Sequence, residues 1–330
     1  MPVLQKTPRD RTAGRSLPPP RHSRTLRIMS DEAIGHDPVL LRECLDGLAA
    51  APGKTIVDCT LGRGGHALAI AGAIGATGTL IALDADPRNL QFAQSRITAA
   101  KVEATVRLFH ANFAELNDVL DAATVPLVDG ILADLGISTN QLFDENYGLS
   151  FASSMPLDMR IDPRSTPSAA DVVNTMREDD LANVLYNLAD ERYSRRIARK
   201  IADARRISPI NTTDRLADLV RSAIPKRGGP PERIDPATRT FLALRMHVNG
   251  EMHNLQTLLN DAPKRLKPGG RLAIISFQST EDRLVKVALR QADERGLLSI
   301  VTKKPLTPSD EELNVNPRSR SAKLRVAMKA

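Results

Sequence analysis

Apolar residues recur along the chain with two spacings, and their alternation predicts the order of the elements. Short apolar runs bounded by turn residues predict buried strands, and the intervals between the first five runs have the spacing typical of helices. The predicted strands are residues 55–59, 79–84, 105–110, 129–134, 271–277, 298–302 and 322–327. Because helices and strands alternate, the pattern predicts an α/β fold with a doubly wound, parallel sheet.

The regular alternation stops after Asp134. A loop rich in Pro, Asp and Ser extends to about Thr166, and helix-like segments continue to about Glu251 without a convincing strand. We therefore expect residues 151–250 to be a helical insertion, serving substrate recognition, in a domain formed by residues 31–150 and 251–330.

The net charge of +7 is concentrated at the start of the chain. Residues 1–29 contain seven lysines and arginines and one aspartate, so the rest of the chain is nearly neutral. Only local basic patches can therefore indicate a nucleic-acid partner. We predict a disordered basic tail over residues 1–30 and a cytoplasmic protein; a mitochondrial transit peptide, and hence a location in the matrix, is the alternative.

The two cysteines, Cys44 and Cys59, do not form a C-x-x-C motif. Neither a disulfide framework nor a zinc site is therefore expected, and we predict no metal. The most apolar segment, residues 67–83, is interrupted by three glycines. It predicts a helix, a turn and a strand rather than a membrane span.

The sequence VDCTLGRGGHALAI places a glycine-rich loop between a predicted strand and a predicted helix. It fits G-x-G-x-x-A at Gly62, Gly64 and Ala67, and Asp84 ends the next strand, where a carboxylate can accept both hydroxyls of a ribose. Glycine permits close approach of a ligand, and the helix start offers free N–H groups. By itself this pattern suits NAD and S-adenosylmethionine about equally, and such a loop is sometimes only a tight turn.

Three further features favour S-adenosylmethionine. Asp58 precedes the loop, where a carboxylate would repel a pyrophosphate but could pair with the amino group of a methionine moiety. Phe113, after the third strand, could contact an adenine, and a core position is the alternative. The sequences LKPGGRLAIISF and KLRVAM predict a fifth and a final strand. This arrangement resembles the Rossmann-like class I methyltransferases, whose sheet ends in a reversed strand beside the fifth.

A longer series of motifs runs in order from His36 to the C-terminus. They are HDPVLLRECLDGL, DCTLGRGGH, ALDADP, DGILADLGIS, SFASSMPLDMRID, DPATRTFLALRMHVN, LKPGGRLAIISFQSTEDRLVK and NPRSRSAKLR. Together they resemble the motifs of the ribosomal RNA small-subunit methyltransferase H family, the MraW-type enzymes.

The resemblance implies methyl transfer from S-adenosylmethionine to the N4 amine of a cytidine in the decoding centre of small-subunit rRNA. The partner it implies is this rRNA or the assembled small subunit, with no membrane contact, and a homodimer is one possible assembly. The cofactor contacts it implies are Gly64, Gly65, His66, Asp84, Phe113, Asp134 and Gln141.

Several positions depart from the usual family motifs. Leu242 and Met246 interrupt the usual FQALRI, and Gln278 and Thr280 the usual SFHSLEDR. Asp235 replaces a usual His, Ala189, Asp190 and Glu191 replace GEE, and Tyr147, Gly148 and Leu149 stand in the place of RGF in RGFSF. The cofactor motifs are intact, so these departures concern substrate handling.

Candidate catalytic residues are those that could make the cytosine amine a better nucleophile. The lone pair of an exocyclic cytosine amine is delocalised into the ring, and a carboxylate that accepts from its N–H group can help to localise it. Asp134 ends the fourth strand, at the edge where open α/β sheets bind ligands, and is either a cofactor contact or this acceptor. His66 is expected to orient the loop or the cofactor rather than to act as a base.

The sequence PLDMR supplies a second candidate pair, Asp158 and Arg160. From spacing alone an ion pair that fixes the loop is the simpler interpretation, whereas the resemblance favours a role in the substrate pocket. Ser279 and Asp282 have the spacing of a capping box and predict the start of a helix.

A basic stripe lies within the expected insertion. Arg192, Arg195, Arg196 and Arg199 have helical spacing and would share one face. A solvated face is the simpler interpretation, and a phosphate-binding stripe for RNA is the functional one.

Three functions from different classes follow. The first is the RNA methyltransferase, and the second is a ribosome-assembly factor that keeps the cofactor pocket without turnover. The third is an NAD-dependent oxidoreductase, which Asp58 and the C-terminal strands disfavour.

Overall fold

The computed structural model describes residues 38–225 and 235–330, except for the side chain of Thr139. These residues belong to one compact unit, Asp37–Ala330. The prediction of a disordered tail over residues 1–30 lies outside the described residues. No helix in the described ranges is long and apolar enough to cross a membrane.

The strands form one sheet with the order β3-β2-β1-β4-β5-β7-β6. Strands β1 to β5 pair in parallel, whereas β7 pairs antiparallel with both β5 and β6. The strands are β1 (Thr55–Asp58), β2 (Thr79–Asp84), β3 (Thr105–His110), β4 (Val128–Asp134), β5 (Leu266–Ser276), β6 (Leu298–Ile300) and β7 (Lys323–Lys329).

This sheet confirms the predicted fold class, and the strand bounds differ mainly at β5. The sequence predicts β5 from Arg271, but Leu266 already pairs with Val128 before the register shifts at Gly130. The Pro-Gly-Gly sequence therefore lies inside the strand, at an irregularity in its pairing with β4, rather than in a turn before the strand.

Helices cover both faces of the sheet because neighbouring residues of a buried strand point in opposite directions. Ile56 and Leu80 face a cluster with α1, α2 and α3, whereas Val57 and Ile81 face α4, α11 and α12. The helices on these faces are α1 (Leu41–Leu48), α2 (Gly65–Ile74), α3 (Pro87–Ala100), α4 (Leu116–Ala122), α11 (Glu251–Arg265) and α12 (Ser279–Glu294).

The helices between β4 and α11 pack around a third apolar cluster, with residues from Tyr147 to Val248. They are α5 (Thr139–Phe143), α6 (Ala169–Thr175), α7 (Glu178–Ala189), α8 (Ser194–Ile207), α9 (Thr213–Ala223) and α10 (Ala237–Val248). A last short helix, α13 (Asp310–Val315), precedes β7.

The start of α12 corrects one detail of the sequence analysis. The helix begins at Ser279 as predicted, but Gln278 is its N-cap, and the Glu281 carboxylate accepts the N–H groups of Phe277 and Gln278 at 3.0 Å. Asp282 pairs instead with Lys323 and Arg325 of β7. The capping acid is therefore one residue earlier than the sequence pattern indicated.

Candidate functional site

Three aspartates end neighbouring parallel strands at one edge of the sheet. Asp58 ends β1, Asp84 ends β2 and Asp134 ends β4, and β1 lies between the other two. The carboxyl ends of parallel strands share an edge, so these side chains meet where the chain order of the sheet reverses. Open α/β sheets bind their ligands at this position.

The glycine-rich loop crosses this edge and leads into α2. Gly62 and Gly64 have φ values of +51° and +80°, which side chains other than glycine rarely adopt. A Cβ on Gly64 would lie 3.3 Å from Ala93 of α3, and one on Gly65 would lie 3.3 Å from Pro38. The loop is therefore held close to its neighbours, with the start of α2 at the site.

Asp58 is buried beside this loop and is only partly satisfied. Its Oδ1 atom accepts the amide of Thr60 at 3.1 Å, and its Oδ2 atom has no hydrogen-bond partner among the described residues. Burial raises the pKa of Asp58 to about 7; the bond from Thr60 lowers it in part, and the nearby charge of Asp84 adds to the increase. An unpartnered buried carboxylate oxygen of this kind fits a cationic ligand.

Asp134 is half-buried at the end of β4, and its carboxylate is likewise only partly satisfied. Within the described part of the chain its Oδ1 atom has no partner, while Thr60 Oγ1 accepts the Asp134 amide at 2.7 Å. Burial raises the pKa of Asp134 to about 8, and the charges of Asp58 and Glu281 contribute. The edge thus carries two carboxylates that require a cation or a proton donor.

His66 lies against Asp134, with 3.7 Å between its Nδ1 atom and Oδ2 of the aspartate. Its Nε2 atom lies 3.0 Å from the carbonyl oxygen of Val39, which can only accept, so Nε2 carries the proton of the neutral ring. Burial lowers the pKa of His66 to about 4. This tautomer fits a residue that orients the loop.

Asp84 already organises the glycine loop. Its two oxygens accept the amides of Gly62 at 2.7 Å and Asp86 at 2.8 Å, and Asn89 approaches at 3.4 Å. Burial raises the pKa of Asp84 to about 6, although the two amide bonds lower it. A carboxylate has about four lone-pair positions, so this carboxylate keeps acceptor capacity for a hydroxyl.

The remaining expected cofactor contacts have different surroundings. Phe113 lies in a 3-10 turn, Phe113–Glu115, and packs half-buried against the core on the α4 face. Gln141 is buried: its Nε2 atom donates to Asp86 at 2.8 Å, and its Oε1 atom accepts the Ser138 amide at 3.0 Å. Both ends of this amide are therefore bonded within the protein, and a direct cofactor contact by Gln141 stays a prediction.

Asp158 and Arg160 form the ion pair that spacing alone suggested. Two parallel bonds of 2.7 Å join the guanidinium to the carboxylate, and Arg160 also reaches the Ser165 carbonyl oxygen at 3.3 Å. The guanidinium bonds lower the pKa of Asp158. About a third of each side chain is exposed, so the pair fixes its loop and still presents polar atoms outward.

The basic stripe is only partly helical, which corrects the sequence analysis. Arg195, Arg196 and Arg199 lie on an exposed face of α8, but Arg192 lies two residues before the helix begins. Glu191, a buried acid, accepts the Tyr193 amide at 2.8 Å, and this turn delays the helix start. The helical arginines line a groove whose residues are Arg195, Arg196, Arg199, Lys200, Asp203, Ser222 and Ala223.

Sequence reasoning missed Thr60, Asp86 and Asn249 as organising residues. Asp86 followed by Pro87 is a recognisable helix start, and its carboxylate does accept the Arg88 amide at 2.9 Å. Asn249 forms hydrogen bonds with Ile161 and Met159, which are far away in sequence, and no local sequence pattern predicts such contacts.

Three departures from the family motifs lie at packing and capping positions. Asp235 caps α10 through the Ala237 amide at 2.8 Å and pairs with Arg221. Met246 is buried in the core, and Gln278 is the N-cap of α12. These departures therefore have structural explanations.

The strand order, with β7 reversed between β5 and β6, together with the glycine loop and the acids at the ends of β1 and β2, defines a class I methyltransferase. The comparison with known families agrees: the model of the MraW methylase family matches residues 33–330. The chain therefore belongs to the MraW methylase family. S-adenosylmethionine is its cofactor, and the alternative of an NAD-dependent oxidoreductase is wrong.

Individual relatives are similar over nearly their whole length. The chain is 46% identical over 299 residues to the ribosomal RNA small subunit methyltransferase H of Acidobacterium capsulatum, covering 89% of this chain and 98% of that protein. It is 40% identical over 312 residues to the protein of the same name from Clostridioides difficile, with the same two coverages. Among solved structures, an rRNA methylase from Streptococcus thermophilus is 12% identical, with a TM-score of 0.41, and covers 86% of this chain and 92% of that one.

Proposed function

We propose that this protein methylates the N4 amine of a cytidine in small-subunit rRNA, namely cytidine 1402 of 16S rRNA. The relatives named ribosomal RNA small subunit methyltransferase H support the substrate class. The observation that carries the chemistry is the buried, unpartnered oxygen of Asp134 at the end of β4. The alternative of an assembly factor without turnover gains no support from the comparisons.

The residues at the sheet edge fit the cofactor. Asp58 would pair with the amino group of its methionine part, and Asp84 would accept ribose hydroxyls. Phe113 would contact the adenine. The glycine loop, Gly62, Gly64 and Gly65, allows close approach, and His66 and Gln141 hold the surrounding backbone.

The reaction needs alignment and one proton acceptor. S-adenosylmethionine supplies an electrophilic methyl group on its sulfonium centre. As the new N–C bond forms and the C–S bond breaks, the amine must lose one proton, and we assign its acceptance to Asp134. The pKa of Asp134 is raised to about 8, so only a minor fraction is ionised at neutral pH in the free protein; the nearby sulfonium cation would favour the ionised form, which is the one that can accept the proton.

The target base and its RNA require further contacts. Asp158 and Arg160 present paired donors and acceptors that could hold the base after it leaves its stack. We assign residues 151–250 to substrate recognition and the exposed arginines of α8 to RNA phosphates. Arg192, although it lies outside the helix, is kept in this proposed contact set.

The partner is the small-subunit rRNA or the assembled subunit, and we place the reaction in the cytoplasm. The relatives are bacterial proteins, so the mitochondrial alternative gains no support. Homodimer formation and independence from metals remain expectations. No cluster of His, Cys, Asp or Glu side chains suited to a metal occurs among residues 38–225 and 235–330.

The test is tritium transfer from S-adenosylmethionine to small subunits from a strain that lacks the enzyme. We expect the label in N4-methylcytidine after digestion to nucleosides. Label in another nucleoside would refute the target atom, and absence of label from both subunits and naked rRNA would refute the activity.

A further inference from the structure

A buried carboxylate, Asp86, lies between the cofactor edge and the loop that carries PLDMR. Its own amide donates to Asp84 at 2.8 Å. Its side chain, in a residue only 1% exposed, accepts from the Arg88 amide, from Gln141 and from the hydroxyl of Tyr147. Asp86 thus links Asp84, the proposed ribose-binding residue, to Gln141 and Tyr147, which are distant in sequence.

Burial makes these bonds hard to exchange for water. A buried carboxylate is costly unless several donors satisfy it, and a buried tyrosine hydroxyl needs a partner. Burial and the bond to Asp86 raise the pKa of Tyr147 above its usual value, so the hydroxyl remains a donor. Removing the hydroxyl would leave Asp86 with one donor fewer, while the ring of residue 147 would keep its contact with the Arg88 guanidinium, which lies 4.9 Å from the ring centroid.

The backbone around Tyr147 connects the hydrogen bond between Tyr147 and Asp86 to the PLDMR motif. The carbonyl oxygen of Tyr147 accepts the amide of Met159 at 2.7 Å. Gly148 has φ +61°, and a Cβ there would lie 2.0 Å from the carbonyl oxygen of Pro156, so the two chain segments are in close contact. We call residues 147–162 the substrate loop.

Met159 lies between the two residues of the ion pair, Asp158 and Arg160. Its carbonyl oxygen accepts Asn249 Nδ2 at 2.8 Å, and Asn249 Oδ1 accepts the Ile161 amide at 2.8 Å. The substrate loop is therefore held on one side by α10 and on the other by Tyr147. The Tyr147 side leads to the cofactor edge, and Asp162 provides a second connection, since His110 Nε2 lies 3.7 Å from the Asp162 carboxylate and 3.0 Å from the carbonyl oxygen of Ala85.

We propose that Tyr147 is a positioning residue that couples the cofactor pocket to the substrate loop. A ligand that binds Asp84 restricts the motion of the turn between Asp84 and Asp86. Because Tyr147 is hydrogen-bonded to Asp86 and to Met159, this restriction extends to Met159 and to the ion pair of Asp158 and Arg160. Binding linkage is reciprocal, so a base held by the substrate loop strengthens cofactor binding by the same factor. The role of the loop in holding the base rests on the proposed function, whereas the coupling itself does not require RNA.

The family resemblance supplies a specific control. The usual RGFSF motif has Arg where this chain has Tyr147. Both side chains can donate to a carboxylate, but phenylalanine cannot. Tyr147→Phe should therefore uncouple the two regions, and Tyr147→Arg should restore the coupling.

The first experiment is hydrogen exchange of residues 147–161 with and without S-adenosylhomocysteine, a measurement that needs no RNA and no turnover. In the wild type we expect the ligand to slow exchange about 5- to 100-fold, and in Tyr147→Phe most of this protection should disappear while the ligand affinity changes less than about threefold. Tyr186→Phe, which removes the same atom from an exposed tyrosine of α7, should behave as wild type.

The second experiment measures methyl transfer to small subunits. We expect Tyr147→Phe to lower kcat about tenfold with little change in KM for S-adenosylmethionine, and Tyr147→Arg to recover most of the loss. Unchanged ligand protection in Tyr147→Phe would overturn the coupling, as would a parallel loss of melting temperature and ligand affinity. If wild type protects the loop but methylates no RNA, the proposed function fails and the coupling stands.

Discussion

The acidic sheet edge and the basic face of α8 both carry clusters of like charge, but burial gives them opposite properties. At the edge Asp58 is buried and Asp134 half-buried, and each has one buried oxygen that lacks a partner in the described chain and a raised pKa. Arg195, Arg196 and Arg199 are exposed on α8. The edge presents unpartnered carboxylate oxygens at fixed positions, whereas the arginines of α8 are open to solvent and Arg199 also pairs with Glu178 at 3.4 Å.

The difference in burial indicates which contacts should be specific. Desolvated charges interact strongly over short distances and resist salt, while exposed charges act together and are screened within about 8–10 Å at ordinary ionic strength. We therefore expect single substitutions to be decisive at the edge and only combined substitutions to matter on α8. The predictions below test this contrast.

The largest effect should come from Asp134→Asn, which removes the proposed proton acceptor. We expect kcat to fall about 10²- to 10⁴-fold. Asp129→Asn is the matched control at the other end of β4: burial opposes ionisation there, but Lys267, the Thr55 amide and Lys54 lower the pKa of Asp129 overall. The control should lose stability and keep turnover, and full turnover in Asp134→Asn would refute the assignment.

On α8, charge reversal of Arg195, Arg196 and Arg199 to Glu should weaken binding of the small subunit about 100-fold at low salt. It should also flatten the salt dependence, because about three fewer counterions are released. Cofactor affinity should not change.

The control for α8 reverses three exposed arginines on other helices, Arg42, Arg283 and Arg290, and changes the net charge equally. Equal losses in the two triple variants would show that only total charge matters. Equal slopes for wild type and the α8 variant would remove α8 from the RNA interface.

A smaller effect is expected for Asp84→Asn, which keeps the shape but removes the charge of the proposed ribose acceptor, a carboxylate that accepts the amides of Gly62 and Asp86. Affinity for S-adenosylhomocysteine should fall about 5- to 150-fold, corresponding to about 1–3 kcal/mol. Calorimetry should show normal binding for Asp46→Asn, an exposed aspartate on α1. An unchanged dissociation constant for Asp84→Asn would place the ribose elsewhere.

The last effect concerns stability and pH. Because the folded pKa values of Asp58 and Asp134 lie above the ordinary 3.8, folding favours their protonated forms. Their stabilisation is complete below about pH 4 and is lost as the pH rises through about 7 and 8. Between pH 6 and 9 the two shifts together correspond to about 4 kcal/mol, so the melting temperature of the free protein should fall by roughly 10 °C, and by less in Asp134→Asn. A pH-independent difference between wild type and variant would contradict these raised pKa values.

The class of the fold and most strand positions are predictable from the sequence alone. The spacing of apolar residues indicates which positions are buried, so β2 and β3 are predicted with the bounds that the structure has. The glycine loop is likewise predicted to follow Asp58 at the end of the first strand. The motif series also indicated the family, which the comparison confirmed. These properties depend on neighbours in the chain, which a sequence shows directly.

Which donors reach which carboxylates depends on the packing of the folded chain and cannot be read from the sequence. Asp86 and Tyr147 are 61 positions apart, and Asp134 and Thr60 are 74 apart, yet each pair is hydrogen-bonded. Likewise, helical spacing predicted that Arg192 shares a helix face with Arg195 and Arg199, but the turn at Glu191 makes α8 begin only at Ser194. Pairing over such separations depends on how the sheet and helices pack, and the free energy of a buried charge is set by those partners rather than by its neighbours in sequence.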